Sequence, residues 1–303
     1  MCPQLSLVKI DRDGWKKIVF LALKLSARYN AVHMSIAISA VEQLASAINF
    51  DRFDDIQSLH APGVRFHSFR GPNLSDNISV RDWQAELLER YADCMYTEEE
   101  VISSGDTAAL RTTILGKGYD WRQFSQRALD IIRVDEDGRI NLRHLYAMLR
   151  DIEIDKPIQA AFSRANEYPG GSESTVAELA EKFCELELSN NSEVADAILD
   201  ENSVLIDSVY GTAVGSDAIV SLLKATPVPA FGMSRMQTCI AGAKDAVVEF
   251  AVDPRRPRYA DWIRVVEDKI VVIERYWMLR EIGVNPFVEY SRDRHHRQVI
   301  MPK

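Results

Sequence analysis

Arg127–Ile152 reads RALDIIRVDEDGRINLRHLYAMLRDI, and Arg258–Ile282 reads RYADWIRVVEDKIVVIERYWMLREI. One gap, at Gly138, brings 13 positions into identity, among them Asp130/Asp261, Arg133/Arg264, Glu136/Glu267, Tyr146/Tyr276 and Leu149/Leu279. Chance does not supply that many matches in so short a window. The chain therefore reads as two copies of one unit, 131 residues apart. The stretch is itself a hairpin: an alternating run, the turn Asp135-Glu136-Asp137-Gly138, and a second alternating run.

Outward from the hairpins, both copies predict the same order of elements. In the first, helical spacing covers Ser35–Ile48 and Phe53–Leu59, His60-Ala61-Pro62-Gly63 is turn chemistry, and Val64–Phe69 alternates as a strand. A helix over Val80–Tyr91 and strands over Cys94–Ser103, Thr107–Leu115, Gln126–Val134 and Arg139–Leu149 complete it. The second copy gives helices Ser174–Leu188, Glu193–Leu199 and Ser216–Leu223 and strands Ser203–Val209, Ser234–Ala241, Asp245–Val252, Tyr259–Val266 and Lys269–Leu279. Helices followed by antiparallel strands make an α+β fold. The expectation is two cone-shaped domains, each a strongly curved, mixed, mainly antiparallel sheet with about three helices enclosing a pocket. The domains are set at 34–164 and 174–290, with an N-terminal extension 1–33, a Pro/Gly/Ser-rich linker 165–173 and a basic tail 291–303.

Composition narrows the function. A net charge of −9 argues against nucleic acid, whose phosphates want a basic face. Four cysteines, Cys2, Cys94, Cys184 and Cys239, stand far apart, which fits a reducing cytoplasm better than a zinc site or disulfide framework. The apolar run in Trp15–Leu25 is interrupted by Lys24 and is too short for a bilayer, which takes about 20 apolar residues. No phosphate-binding Gly-rich loop, HExxH or GxSxG occurs, and His295-His296 has no third ligand beside it, so no metal and no cofactor is expected.

Each copy resembles the nuclear transport factor 2-like superfamily, the fold of ketosteroid isomerases, SnoaL-like polyketide cyclases and limonene-type or polyether epoxide hydrolases. Three features carry the resemblance. They are Asn49–Asp55 and Asn190–Asp196 after the first helix, the strand around His67-Ser68 and Asp207-Ser208 with Gly71 and Gly211 after it, and the repeated hairpin. The resemblance covers about residues 35 to 152 and 174 to 282. It implies a general base on the first strand, a place held by Asp207 and, in a departure, by His67 in the first copy. It implies a second, protonated acid on the penultimate strand, held by Asp261 and Asp130. The isomerases' phenolic donor is missing, Leu44 and Phe183 standing in its places. The hydrolases' glutamate has Glu98, Glu99 and Glu100 as counterparts in the first copy but Gln237 in the second.

Asp207 and Asp261 on one apolar pocket could not both ionise cheaply, which would leave one as base and one as acid. A carboxylate beside a histidine raises its pKa, so His67 with Asp130 would form a second site. Trp277, Tyr276 and Tyr146 on the last strands, with Phe183, are the expected substrate-binding residues. Trp262 and Arg264 alternate away from Asp261 and belong on the other sheet face, as packing or ion-pair residues between domains. The expected function is cofactor-independent acid/base chemistry (cyclisation, isomerisation or epoxide opening) on an apolar polyketide, polyether or terpenoid-like molecule. The alternative is a non-catalytic binding or scaffolding protein on the same tandem fold. The expected partners are the small molecule alone, with neither nucleic acid nor membrane, in an intramolecular pseudo-dimer whose further homo-oligomerisation is left open.

Overall fold

The computed structural model describes residues 35–90, 92–117, 123–149, 154–226, 235–252 and 256–284. The expected extension 1–33 and basic tail 291–303 lie outside the described residues. The first half runs α1 (Ile36–Asn49), α2 (Phe53–Leu59), β1 (His60–Ser68), α3 (Asn77–Arg90), β2 (Ala92–Ser104), β3 (Thr107–Lys117), β4 (Gln123–Val134) and β5 (Ile140–Ala147). After α4 (Lys156–Glu167) the second half runs α5 (Glu173–Ser189), α6 (Ser192–Ile198), β6 (Val204–Asp207), β7 (Gly211–Val214), α7 (Ser216–Ala225), β8 (Arg235–Ala241), β9 (Asp245–Ala251), β10 (Pro257–Val266) and β11 (Lys269–Trp277).

Apart from the added β7, the order of elements is the same in both halves. Strands β2-β3-β4-β5 and β8-β9-β10-β11 are antiparallel ladders, and β1 and β6 add parallel to β5 and β11. The two ladders meet at one antiparallel step, Ala147 opposite Trp277, giving an 11-stranded sheet. The fold is α+β, and the sheet is mixed but mainly antiparallel. The helix α4 was not legible as one. Its Asp155 caps Ile158 N, Pro157 sits in its first turn, and Ile158, Ala161 and Ala165 are buried. The Pro/Gly-rich stretch begins inside its last turn.

Ser35 caps α1 by accepting from Ile38 N, and the helix lays Val41, Leu44 and Ile48 on the sheet. Its last residue, Asn49, is buried and mimics a strand: Nδ2 donates to Tyr96 O at 2.9 Å, and Oδ1 accepts from Tyr96 N at 2.7 Å. Asn49→Ala strands a buried N–H and a buried C=O on β2, at about 2 kcal/mol. Urea unfolding should show a fall of that size, and a loss under about 0.5 kcal/mol would mean β2 finds other partners.

The outward sheet faces of the two halves meet. Glu274, fully buried, takes Arg111 at 2.6 Å and Arg127 at 2.5 Å. Glu249, also buried, takes His144 and Tyr146, each at 2.5 Å. Arg264 reaches Glu100 at 2.8 Å, and Arg111 lies over the Trp262 ring at 5.2 Å. Trp262 and Arg264 therefore stand on the face that alternation assigns them.

Candidate functional site

On the opposite, helix-covered face of the second half, three strands put three charged residues in a row. Register pairs Asp207 of β6 with Arg275 of β11, and Arg275 with Asp261 of β10. Strands stand about 4.8 Å apart, so the two aspartates flank the arginine at roughly twice that distance from one another. All three are 1% exposed or less. Arg275 gives Asp261 two parallel bonds, Nε to Oδ1 and Nη2 to Oδ2, both 2.8 Å. Its Nη2 also bonds Glu187 of α5, whose other oxygen accepts from Tyr259 Oη at 3.2 Å. The guanidinium lies 4.4 Å over the Tyr259 ring.

Asp207 is held differently. Its Oδ1 accepts from Trp277 Nε1 at 2.9 Å, Val209 N at 2.8 Å and Tyr210 N at 3.0 Å. Its Oδ2 is buried and has no partner among the described residues; the same is true of Arg275 Nη1. Burial pushes the Asp207 carboxyl up, and the Arg275 charge and the three donors hold it part of the way back. Burial also raises Asp261, against the pull of Arg275. Glu187 is pushed by burial up to about 7, with Arg275 opposing.

The aromatic shell is continuous. Trp277 packs against Tyr210 at 5.4 Å and Tyr259 at 5.0 Å, and Tyr259 stacks on Phe250 at 4.7 Å. Phe183 is fully buried on α5, one turn before Glu187. Of the expected substrate-binding residues, Trp277 and Phe183 are thus on the helix-covered side. Tyr146 and Tyr276 are not: they alternate onto the outward face, where Tyr146 bonds Glu249 and Tyr276 sits beside Glu274, Arg127 and Arg111.

The expected pairing of His67 with Asp130 does not form. The residue-by-residue match of Val64 to Val204 put His67 in the place of Asp207. In the folded chain the ladder of β1 shifts register between His60 and Arg65, and Ser68 faces Leu145, the counterpart of Arg275. One residue of slip turns a side chain to the other face. His67 therefore meets His144, ring centroids 5.1 Å apart, on the outward face. Burial and the charges of His144 and Arg280 lower it to about 4, which keeps it neutral.

Asp130 takes Arg143 instead, by bonds of 2.6 to 3.1 Å. With Tyr96 it lines a cavity of about 10 Å³ under Val41, Leu44 and Ile48, room for about one water. Burial pushes the Tyr96 phenol up to about 12. Ser68 Oγ and both amide atoms of Gln84 are buried in this half with no partner among the described residues.

Arg275, Arg143, Glu187 and Gln84 were missed. Both arginines sit on the last strand of their half, but two residues out of step: Arg143 aligns with Ile273, and Arg275 with Leu145. Strand residues two apart share a face, so either can reach the aspartate. Period-two alternation from Asp261, applied to β11, was the signal that could have found them. Among the described residues, no group of three or more His, Cys, Asp or Glu is placed to hold a metal ion.

A family model described as a SnoaL-like domain matches residues 41–142. No curated protein matches the chain. Solved structures resemble it over a little more than a third of its length. One is an LEH-like epoxide hydrolase from Mycobacterium tuberculosis (16% identity, 37% of this chain and 82% of that one, TM-score 0.34). Another is a proposed polyketide cyclase from Xanthomonas campestris (14%, 37% and 89%, 0.35). A third is a protein with a ketosteroid isomerase-like fold from Catenulispora acidiphila (15%, 35% and 83%, 0.34).

Proposed function

We propose that the chain, whose residues 41–142 match a family model described as a SnoaL-like domain, is a cofactor-independent acid/base enzyme for an apolar small molecule. The second half would be a second domain of the same kind, and the working site lies there. One observation carries the reading: Asp207 has one oxygen pinned by three donors and the other buried without a partner among the described residues, and Arg275, its register partner, has a nitrogen in the same condition.

That arrangement suits a proton transfer. Oδ1 is oriented by Trp277 and the backbone, so Oδ2 is the oxygen that takes the proton. Burial raises its basicity above that of an ordinary carboxylate, which favours a general base. Arg275 stays charged and offers Nη1 to the oxygen on which negative charge develops. Asp261 is its electrostatic complement and keeps the guanidinium in place. Cyclisation, isomerisation and epoxide opening all need these two functions. The buried aromatic side chains Trp277, Tyr259, Phe250 and Phe183 around it favour a polyketide, polyether or terpenoid-like skeleton. Among the described residues no helix is long and apolar enough to cross a membrane; a cytoplasmic location belongs to the same proposal.

Asp207→Asn keeps the shape and the acceptor for Trp277 but removes the base. Turnover of a responsive ketone or epoxide from a substrate panel should fall at least ~100-fold at unchanged melting temperature. Unchanged turnover would end the acid/base reading. The alternative, a non-catalytic binding or scaffolding protein, draws on the small cavity beside Asp130. It would be favoured by ligand binding, followed through Trp277 fluorescence, with no turnover by the native chain.

A further inference from the structure

Three carboxyls and one guanidinium share the buried interior of the second half: Asp207, Asp261, Glu187 and Arg275. Fully ionised, they would leave two uncompensated negative charges in a dry site, so a proton must be held somewhere among them. The contacts say where. Asp261 faces Arg275 with two parallel charge-assisted bonds, the geometry of an ionised carboxylate. Asp207 collects three donors on one oxygen, which also favours the ionised form.

Glu187 has the poorest claim to a charge. It shares Nη2 of Arg275 with Asp261, and among the described residues its second oxygen meets only the Tyr259 phenol. It also lies in the last turn of α5, which ends at Ser189, where the helix's own carbonyls repel a negative side chain. The titratable groups around it are Arg275 of β11, Asp261 and Tyr259 of β10, and Cys184 on its own helix, whose thiol burial pushes up and keeps neutral.

We infer that Glu187, and not Asp261, is the acid partner of Asp207 and holds the proton of this cluster at neutral pH. What that proton is used for rests on the acid/base reading above; where it sits does not. In the reaction, Asp207 Oδ2 takes a proton from a substrate C–H or from an attacking water. The electron pair released ends on the substrate oxygen held by Arg275 Nη1, through a new C=C bond or by opening of a C–O bond. That oxygen takes the proton of Glu187. Asp207 is left protonated and Glu187 ionised, and one proton passed back through solvent restores both.

Infrared titration of the full chain tests the assignment without any substrate. The native protein should show a protonated-carboxyl C=O band that disappears as pH rises through about 7. The band should be absent in Glu187→Gln and present in Asp207→Asn. A band lost in Asp207→Asn and kept in Glu187→Gln would overturn the inference. Should Glu187→Gln fail to fold, carboxyl ¹³C shifts of Glu-labelled native protein and of Glu187→Asp give the same decision. One glutamate titrating near 7 in the native chain and missing from Glu187→Asp supports it, and an unchanged set of shifts overturns it. With a responsive substrate, the fall of kcat above pH 7 should vanish in Glu187→Gln. A titrating Glu187 in a chain that turns over nothing would leave the proton assignment standing and remove the proposed function.

Discussion

Arg275→Met should cost the fold about 3–5 kcal/mol at pH 7, because it leaves the Asp261 carboxylate buried without its cation and Glu187 without the nitrogen it bonds. Both are essentially without solvent, so little of the loss can be recovered by hydration. The deficit should shrink as the pH is lowered, since the abandoned carboxylate protonates and the charge disappears. The native chain carries a milder version of the same dependence. Glu187 is raised from 4.5 to about 7 on folding, so the folded state holds the proton more tightly than the unfolded state does. Its contribution is fully present below pH 4.5 and is lost as pH rises through about 7. Urea midpoints at pH 5 and pH 7 measure both effects. An Arg275→Met variant within about 1 kcal/mol of native, or one equally weak at both pH values, would mean that the three carboxyls do not depend on this guanidinium. Turnover should be lost as well, and at pH 5, where the fold recovers, that loss separates the role of Nη1 in chemistry from its role in stability.

How much of this was legible beforehand follows from what kind of pattern each feature leaves. The hairpins repeat as contiguous identities, and alternation within them places Asp261 on one face and Trp262 and Arg264 on the other. The strand ladders obey that alternation. The register of β1 does not announce itself, because between His60 and Arg65 the strand advances five residues while β5 advances two, an irregularity that needs no change of composition. His67 was assigned across that slip and so to the wrong face. The acid–arginine pair is present in both halves, yet its arginines fall in different columns of the repeat, where identity cannot reveal them. Glu187 looks like an ordinary polar residue near a helix end; only the approach of α5 to Arg275 gives it a partner, and that is a tertiary fact.

The inter-half face offers the second large effect, independent of any chemistry in the cones. Glu274 lies on the outward side of β11, one residue from Arg275 and pointing the opposite way, with Arg111 and Arg127 of the first half upon it. Burial alone would raise its carboxyl; the charges of Arg127, Arg111 and Arg264 instead hold it below 4.5. A depressed acid stabilises the fold above its unfolded pKa, and that contribution is lost as pH falls below 4.5 toward the folded value. Glu274→Ala removes a fully buried anion between the halves and leaves the two arginines bonded to it facing each other. The expected loss is about 3–5 kcal/mol at pH 7, shrinking under acid conditions. Polar contacts of this kind join the two halves beside the strand step at Ala147 and Trp277 and a set of buried apolar residues that both halves share. The native chain should therefore unfold in one transition, and Glu274→Ala in two, as each half loses its reason to wait for the other. Calorimetry distinguishes the cases. A single transition with a loss below about 1 kcal/mol would show that the halves are joined by apolar packing, with Glu274 a bystander.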